Sequence, residues 1–465
     1  MTPAPTIDIQ EFINARPFTR FQIMVLMFCF LVVAADGFDT AAIGFIAPAL
    51  REQWALNPSQ LSYLFVAGLA GLMVGAFVFG PIADRIGRKA VLVFATIGFG
   101  IASIASATAT SVESLTIWRF VTGLGLGGAM PMAITLTSEY CPERSRSFLV
   151  TVMFCGFTIG GALGGLAAAG LIAHYGWQGV LFLGGALPLI LAVALIFVLP
   201  ESVRYLVLKG GQDARIVTIL RRVDPAAPLE GAHFVGVRKI EGSPVGQLFT
   251  RDLMTGTLLL WVTFFMSLLV YYLLTSWLPT LLKTAGQTQQ ASALIALMLP
   301  IGSTVGAFVI GFLMDRFGAH PVLAGSYTLA AAFIVMLGLS TATPWLLVLA
   351  VFGAGLGTGG SQIGINALSA GYYPTANRAT GVSWANAVGR TGSLVGSMAG
   401  GYLLNIGWSL GTVFAVAAIP ALIAALAIFT KGRFQGSHTA AAAVVPVAAR
   451  RPFVEQRPTM DKAKV

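Results

Sequence analysis

Charge is what this chain has least of. Only 10% of its 465 residues are Asp, Glu, Lys or Arg, while 56% are hydrophobic; a soluble domain carries about 25% charged residues. That scarcity excludes an ordinary water-soluble domain. Cysteine is nearly absent too: Cys29, Cys141 and Cys155 lack metal-ligand spacing, and their odd number argues against a disulfide framework. The four histidines are scattered, so no metal site is expected. No nucleophile–base pair or nucleotide loop is present, which makes an enzyme the weakest class, and no cofactor is implied. In their place stand repeated apolar runs of about 18 residues or more, each long enough to span a bilayer.

The runs fall at residues 21–46, 59–82, 90–110, 114–140, 147–173, 178–199, 255–281, 291–314, 321–340, 345–369, 379–406 and 411–430. The expected fold is therefore an all-α polytopic membrane protein with twelve transmembrane helices. The expected organisation is an N-terminus at 1–20, six helices over 21–199, a polar linker over 200–254, six more helices over 255–431 and a disordered tail over 432–465. The linker carries Pro225, Pro228 and Pro244 and has room for a short surface helix. With two acids and no small-residue cleavage site, the first span does not read as a removable signal peptide.

A net charge of +10 first suggests nucleic acid, but its placement does not. Of 28 Lys and Arg, 24 fall on one side of the expected membrane; Arg51 and Lys283 fall on the other, and Arg119 and Arg390 fall within spans. This is the positive-inside pattern, with both termini cytoplasmic. No nucleic-acid partner is expected.

Between Phe21 and Leu50 the only charges are Asp36 and Asp39. A charge near the bilayer centre costs roughly 2.5–3.5 kcal/mol on insertion scales, so such residues mark function by default. The i, i+3 spacing puts both acids on one helix face, where two carboxylates cannot easily both ionise. They read as a proton or cation site; the alternative is two acids held by a buried arginine for structure alone. Arg119, early in the fourth span, and Asp36 both fall in the outer half of a ~30 Å core. A buried Arg needs a carboxylate, so Arg119 is expected to compete with a proton for one of the two. A permanent salt bridge is the alternative.

Arg390 lies near mid-membrane, in a half whose spans contain no acid. Unless it reaches the first helix, its natural partner is an anionic ligand gripped by its planar donor fork. Gln362, Asn366, Trp384, Asn386 and Tyr272, with Tyr271 and Trp277, suit a small aromatic acid around it. Each of these aromatics could equally be packing or interfacial.

The second half repeats the first. Gly80 and Asp84-Arg85-Ile86-Gly87 match Gly311 and Asp315-Arg316-Phe317-Gly318 at an offset of 231, and Gly125, Gly127 and Gly128 match Gly357, Gly359 and Gly360 at 232. Tyr140, Pro142 and Arg146 map onto Tyr372, Pro374 and Arg378. Two parallel six-helix repeats with substrate between them form an architecture that can rock around a central site. The Gly123–Gly128 run reads as close helix packing.

The turn from Gly80 to Lys89 resembles the signature turn of the major facilitator superfamily. In that family it latches the halves in the outward-facing state, which implies gating roles for Asp84, Arg85, Asp315 and Arg316. Topology and stability alone would also account for it. Glu139, at the same end of the fourth span, could pair with Arg144, Arg146 or the latch turn. Further motifs narrow the resemblance: Asp36-Gly37-Phe38-Asp39 with Gly44 and Pro48, Ser138-Glu139-Tyr140, Phe154-Cys155-Gly156-Phe157, Pro200-Glu201-Ser202-Val203-Arg204-Tyr205, Ser276-Trp277-Leu278-Pro279-Thr280-Leu281 and Arg378-Ala379-Thr380-Gly381-Val382-Ser383-Trp384. Together they are similar to the aromatic acid:proton symporter family, which includes 4-hydroxybenzoate, protocatechuate and benzoate permeases. The resemblance implies import of a small aromatic carboxylate with H+ by alternating access, with the paired acids required for transport. A proton-driven exporter of aromatic compounds or drugs, on the same fold, is the alternative. A chemoreceptor would need a signalling domain, and the sequence shows none.

Overall fold

The computed structural model describes residues 6–235, 245–340, 343–373 and 378–443. Its long apolar helices are α1 (Arg20–Trp54), α2 (Pro58–Ile86), α3 (Arg88–Ala107) and α4 (Val112–Tyr140). One helical run, Arg146–Val198, bends at Gly176, whose φ of +65° only glycine adopts without strain. It supplies two crossings, α5 before the bend and α6 after it. The second half contributes α7 (Arg251–Thr284), α8, α9 (Ala319–Leu339), α10 (Pro344–Tyr372), α11 (Arg378–Asn405) and α12 (Leu410–Ala443). Helix α8 comes in two pieces, Gln289–Ala296 and Met298–Phe317. Pro300 explains the break, because its ring crowds the carbonyl four residues back and it has no N–H to give. Among the described residues ten helices are long and apolar enough to cross a membrane, the bent run counting once; with that run divided and α11 added, twelve crossings result. Helix α12 runs on to Ala443, past the expected end of the last span; residues 444–465, where a disordered tail was expected, lie outside the described residues.

The repeat seen in the sequence recurs in the packing. Helices α2 and α4 approach so closely that a Cβ on Gly71 would stand 2.1 Å from the Phe120 carbonyl, and one on Gly75 would stand 2.1 Å from that of Leu124. In the second half, a Cβ on Gly302 would stand 2.1 Å from the Phe352 carbonyl and one on Gly306 would stand 2.3 Å from that of Leu356. These are the same contacts, shifted by 231 and 232 residues. Gly123 of the glycine run has the matching role, since a Cβ there would stand 2.0 Å from the Gly68 carbonyl. Close small-residue packing is the interior logic of membrane helices, where apolar surface alone gives little drive to associate.

Arg85, Arg88, Lys89 and Arg144 lie at one end of the bundle, here termed the basic end. There the described part of the linker carries regular structure of its own. Helices Val203–Lys209 and Asp213–Val223 lie across it; Ile216, Leu220 and Val223 bury one face of the second, the spacing of an amphipathic helix. Strand β1 (Thr6–Asp8) pairs in parallel with β2 (His233–Val235), an addition to an otherwise all-α expectation. Arg16 holds Asp224 at 2.7 Å, and that bond keeps the Asp224 carboxyl below the usual range. The Glu201 carboxylate accepts the backbone N–H groups of Arg88 and Lys89, each at 2.9 Å, so it caps α3 where Gly87 has no side chain to do so. Gly87 is needed twice: its φ is +107°, and a Cβ there would meet Glu201 Oε2 at 2.3 Å.

At the far end the halves meet directly. Lys283 pairs with Glu52, Gln289 donates to the Phe45 carbonyl at 3.2 Å, and Phe65 packs edge-on against Trp277 at 5.1 Å. Gly44 lies against the Thr275 carbonyl, where a Cβ would come within 2.3 Å, and one on Gly401 would come within 1.9 Å of Ser62 Oγ. The far end is therefore closed by backbone-distance contact. Gly44→Val should oppose that closure, since overpacking costs about 1–3 kcal/mol, enough to shift a two-state population roughly tenfold. We expect uptake to fall about tenfold while thiol labelling of a cysteine placed at the far end rises; unchanged labelling would contradict this.

Candidate functional site

The two acids of α1 are buried, Asp36 at 1% exposure and Asp39 at 0%, and so is Arg119 of α4 at 3%. Their partners differ. Arg119 grips Asp39 with both terminal nitrogens, Nη1 to Oδ1 at 2.9 Å and Nη2 to Oδ2 at 2.8 Å. The Ser103 hydroxyl of α3 lies 3.3 Å from the same carboxylate. This fork-on-fork geometry is the strongest form of such a bond. Asp36 stands outside it: Oδ1 accepts from Thr40 at 3.1 Å, and Oδ2 has no hydrogen-bond partner. Of the two acids, Arg119 bonds Asp39 alone.

Arg390 reaches the middle of the molecule from α11. Nη1 donates to the Tyr272 hydroxyl at 3.2 Å, and Nη2 approaches Met130 Sδ of α4 at 3.4 Å. The guanidinium therefore crosses from one half to the other. It is close enough to act electrostatically on Asp36, as Asp36 is on Tyr272. Asp36 and Arg390 thus belong to opposite halves and are not bonded to each other.

One turn back from Arg390 the polar residues of α10 and α11 form a ladder. Asn386 donates to Asn366 Oδ1 at 3.2 Å, Asn366 donates to the Gln362 carbonyl at 2.7 Å, and Gln362 Oε1 accepts from Ser267 at 2.7 Å. Gln362, Asn366, Asn386 and Arg390 are only partly buried. A small cavity of about 20 Å³ beside Asp36, bounded by Gly37, Thr40, Phe157, Tyr271 and Thr275 among others, lies between α1, α5, α7 and α8.

Two expected aromatics are elsewhere. Trp384 stacks on Trp261 of α7 at 6.0 Å and is 43% exposed. Two residues on a helix are about 200° apart, so Trp384 cannot share a face with Asn386, and the spacing alone could have said so. Trp277 is fully buried in the far-end contact, donating to the Ser397 carbonyl at 2.7 Å. Tyr271 sits edge-on to Tyr272 at 5.8 Å, beside the site.

Of the expected gating residues, Asp84 pairs with Arg88 of its own turn at 2.8 Å, and the Arg85 carbonyl accepts from Tyr205 at 2.9 Å. Asp315 and Arg316 are exposed. Glu139 accepts from Ser202 rather than pairing with Arg144 or Arg146; Arg146 lies 4.0 Å from Glu143. A hydroxyl at the linker start thus takes the place expected for a cation. Met130, Ser267, Thr40 and Tyr327 were not anticipated, because lone hydroxyls and thioethers in apolar helices carry no spacing signal. Among the described residues no group of His, Cys, Asp and Glu is arranged to hold a metal.

The fold has known counterparts. The xylose transporter XylE of E. coli, solved in a partially occluded inward-open conformation, matches with a TM-score of 0.70 at 18% identity, covering 89% of this chain and 98% of that one. By sequence, the 4-hydroxybenzoate transporter PcaK of Acinetobacter baylyi is 44% identical over 435 residues, 92% of this chain and 95% of that protein. The gallate transporter of Pseudomonas putida is 43% identical over 433 residues, again 92% and 95%. The benzoate transport protein of Acinetobacter baylyi is 31% identical over 432 residues, 91% and 92%. The sequence pattern described as the Major Facilitator Superfamily matches residues 29–304 and 284–458. Twelve crossings, the internal repeat and these matches agree: the chain is a multi-pass membrane transporter and belongs to the Major Facilitator Superfamily.

Proposed function

We propose that this protein is a proton-coupled symporter that imports a small aromatic carboxylate by alternating access. The observation that carries the reading is Arg390, a cation within a membrane span with no carboxylate bonded to it, together with a buried acid of the other half, Asp36, that has an unpartnered oxygen. Relatives named for transport of 4-hydroxybenzoate, gallate and benzoate support an aromatic acid as cargo.

The coupling follows from charge. With the site empty, Arg390 and ionised Asp36 balance each other across the halves. An arriving carboxylate takes the Arg390 fork, because two charge-assisted bonds to a planar partner outmatch a separated ion. Asp36 is then left without its countercharge in a site that water barely enters, and a proton neutralises it. Anion and proton therefore cross together, and the loaded centre carries the same net charge as the empty one. Asp39 and Arg119, bonded to each other, hold the helices that position Asp36.

The basic end is taken as the cytoplasmic face of a bacterial inner membrane, by the positive-inside pattern, with both termini there. The closed far end then faces outward. Residues 21–199 and 255–431 rock as two bundles in a monomer, joined by 200–254. Asp84, Arg85, Asp315 and Arg316 act as latches at the basic end, and Glu139, through Ser202, ties the linker to α4. Gln362, Asn366, Asn386 and Tyr272 join Arg390 around the cargo. Trp384, turned to Trp261, bears on the site through α7.

Uptake of labelled 4-hydroxybenzoate by whole cells, with and without an uncoupler, tests the reading: accumulation should collapse with the uncoupler, and undiminished accumulation would sink proton coupling. Arg390→Gln should weaken substrate binding roughly 10- to 100-fold, the worth of about 1.5–3 kcal/mol for bonds to a charged group. An unchanged KM would remove Arg390 from the site.

A further inference from the structure

Behind the ladder of amides lies a relay that no transport step requires. Tyr327 of α9 is fully buried, and its hydroxyl donates to Ser267 Oγ at 2.8 Å. Ser267, itself 1% exposed, spends its single proton on Gln362 Oε1 at 2.7 Å. A hydroxyl has one donor, so the direction of the chain is set from Tyr327 outward. With Oε1 occupied, the Gln362 amide is held in one of its two orientations, and its Nε2 remains as a donor. The second amide is fixed in the opposite sense. Asn386 Nδ2 donates to Asn366 Oδ1 at 3.2 Å and to the Val382 carbonyl at 3.0 Å, which uses both of its protons and leaves Asn386 Oδ1 as an acceptor.

The site thus presents one donor and one acceptor on neighbouring helices that are already joined through Asn366. A hydroxyl group satisfies both, since it accepts from one and donates to the other. A ring hydrogen or methyl satisfies neither, and a buried polar group left unpaired costs affinity. Arg390 lies one turn beyond Asn386, roughly 6 Å along the helix, about the span of a benzene ring between opposite substituents.

We infer that Ser267 and Tyr327 are positioning residues that fix the Gln362 amide so that Gln362 and Asn386 together read a ring hydroxyl while Arg390 holds the carboxylate. The inference rests on the proposed reading of the site as one for aromatic acids. It assigns hydroxyl selectivity to two residues that do not touch the cargo.

The test compares KM for 4-hydroxybenzoate and for benzoate in cells producing the full chain. The wild type should prefer the hydroxylated acid. Ser267→Ala releases the amide, so KM for 4-hydroxybenzoate should rise roughly 3- to 10-fold, the worth of one neutral hydrogen bond, while KM for benzoate stays put. Ser267→Thr, which keeps the hydroxyl, should restore the preference. Tyr327→Phe should move the ratio in the same direction by less, and it decides the matter if Ser267→Ala fails to reach the membrane. A parallel change in both KM values, or none, would overturn the inference, as would a wild type that takes up both acids with equal KM. A wild type that takes up neither acid would instead contradict the reading of the site on which the inference stands.

Discussion

Asp36→Asn should abolish concentrative uptake while leaving exchange of substrate across the membrane intact. Asparagine keeps the size and the bond from Thr40 but cannot carry a proton. Arg390 then has no charge to balance it in the empty state and binds the carboxylate without a protonation step. The loaded and empty carriers can still interconvert. Net accumulation driven by a proton gradient should drop at least tenfold and lose its response to an uncoupler, whereas counterflow of labelled against unlabelled 4-hydroxybenzoate should persist. Asp39→Asn should behave differently, because Asp39 is bonded to Arg119. Its first effect should be on the amount of folded protein. If Asp39→Asn lost coupling with normal folding and Asp36→Asn kept it, the two roles would be reversed.

The second large effect concerns that buried pair. Breaking a buried salt bridge by removing one partner costs about 3–5 kcal/mol, because the remaining charge is left uncompensated. Arg119→Leu should therefore sharply lower the melting temperature of the detergent-purified protein, or prevent its accumulation in the membrane. Removing both charges is a different matter, since a buried ion pair exchanged for a well-packed apolar pair is often close to neutral. The double variant Asp39→Leu with Arg119→Leu should recover most of the lost stability. Additive destabilisation in the double variant would mean that the two side chains do not act as a pair. The comparison uses stability, so it can be read whatever the transport activity.

Much of this was legible in the chain. Apolar runs gave the crossings, and two motif offsets gave the repeat, which reappears as matched glycine contacts between α2 and α4 and between α8 and α10. Charges that a bilayer penalises marked Asp36, Asp39, Arg119 and Arg390. The allocation of partners was not legible. An i, i+3 spacing puts both acids on one face, and only the packing of α3 and α4 around Asp39, with Ser103 beside it, decides which acid meets Arg119. Arg390 presented the same difficulty: a lone cation in an acid-free half suggested a ligand, while its reach toward Met130 across the halves is a tertiary fact. The relay from Tyr327 through Ser267 joins three helices by single hydroxyls, which leave no periodic trace. Pairing of Thr6–Asp8 with residues more than two hundred positions away was invisible for the same reason.

The account's central claim is that aromatic anion and proton enter together through Asp36. The most direct measurement places purified protein in proteoliposomes suspended in weakly buffered medium, adds 4-hydroxybenzoate outside, and follows external pH without any imposed gradient. Wild-type protein should make the medium more alkaline as substrate enters, and Asp36→Asn should give substrate exchange without that change. Entry of substrate into wild-type vesicles with no external pH change, or the same alkalinisation by Asp36→Asn, would contradict the account.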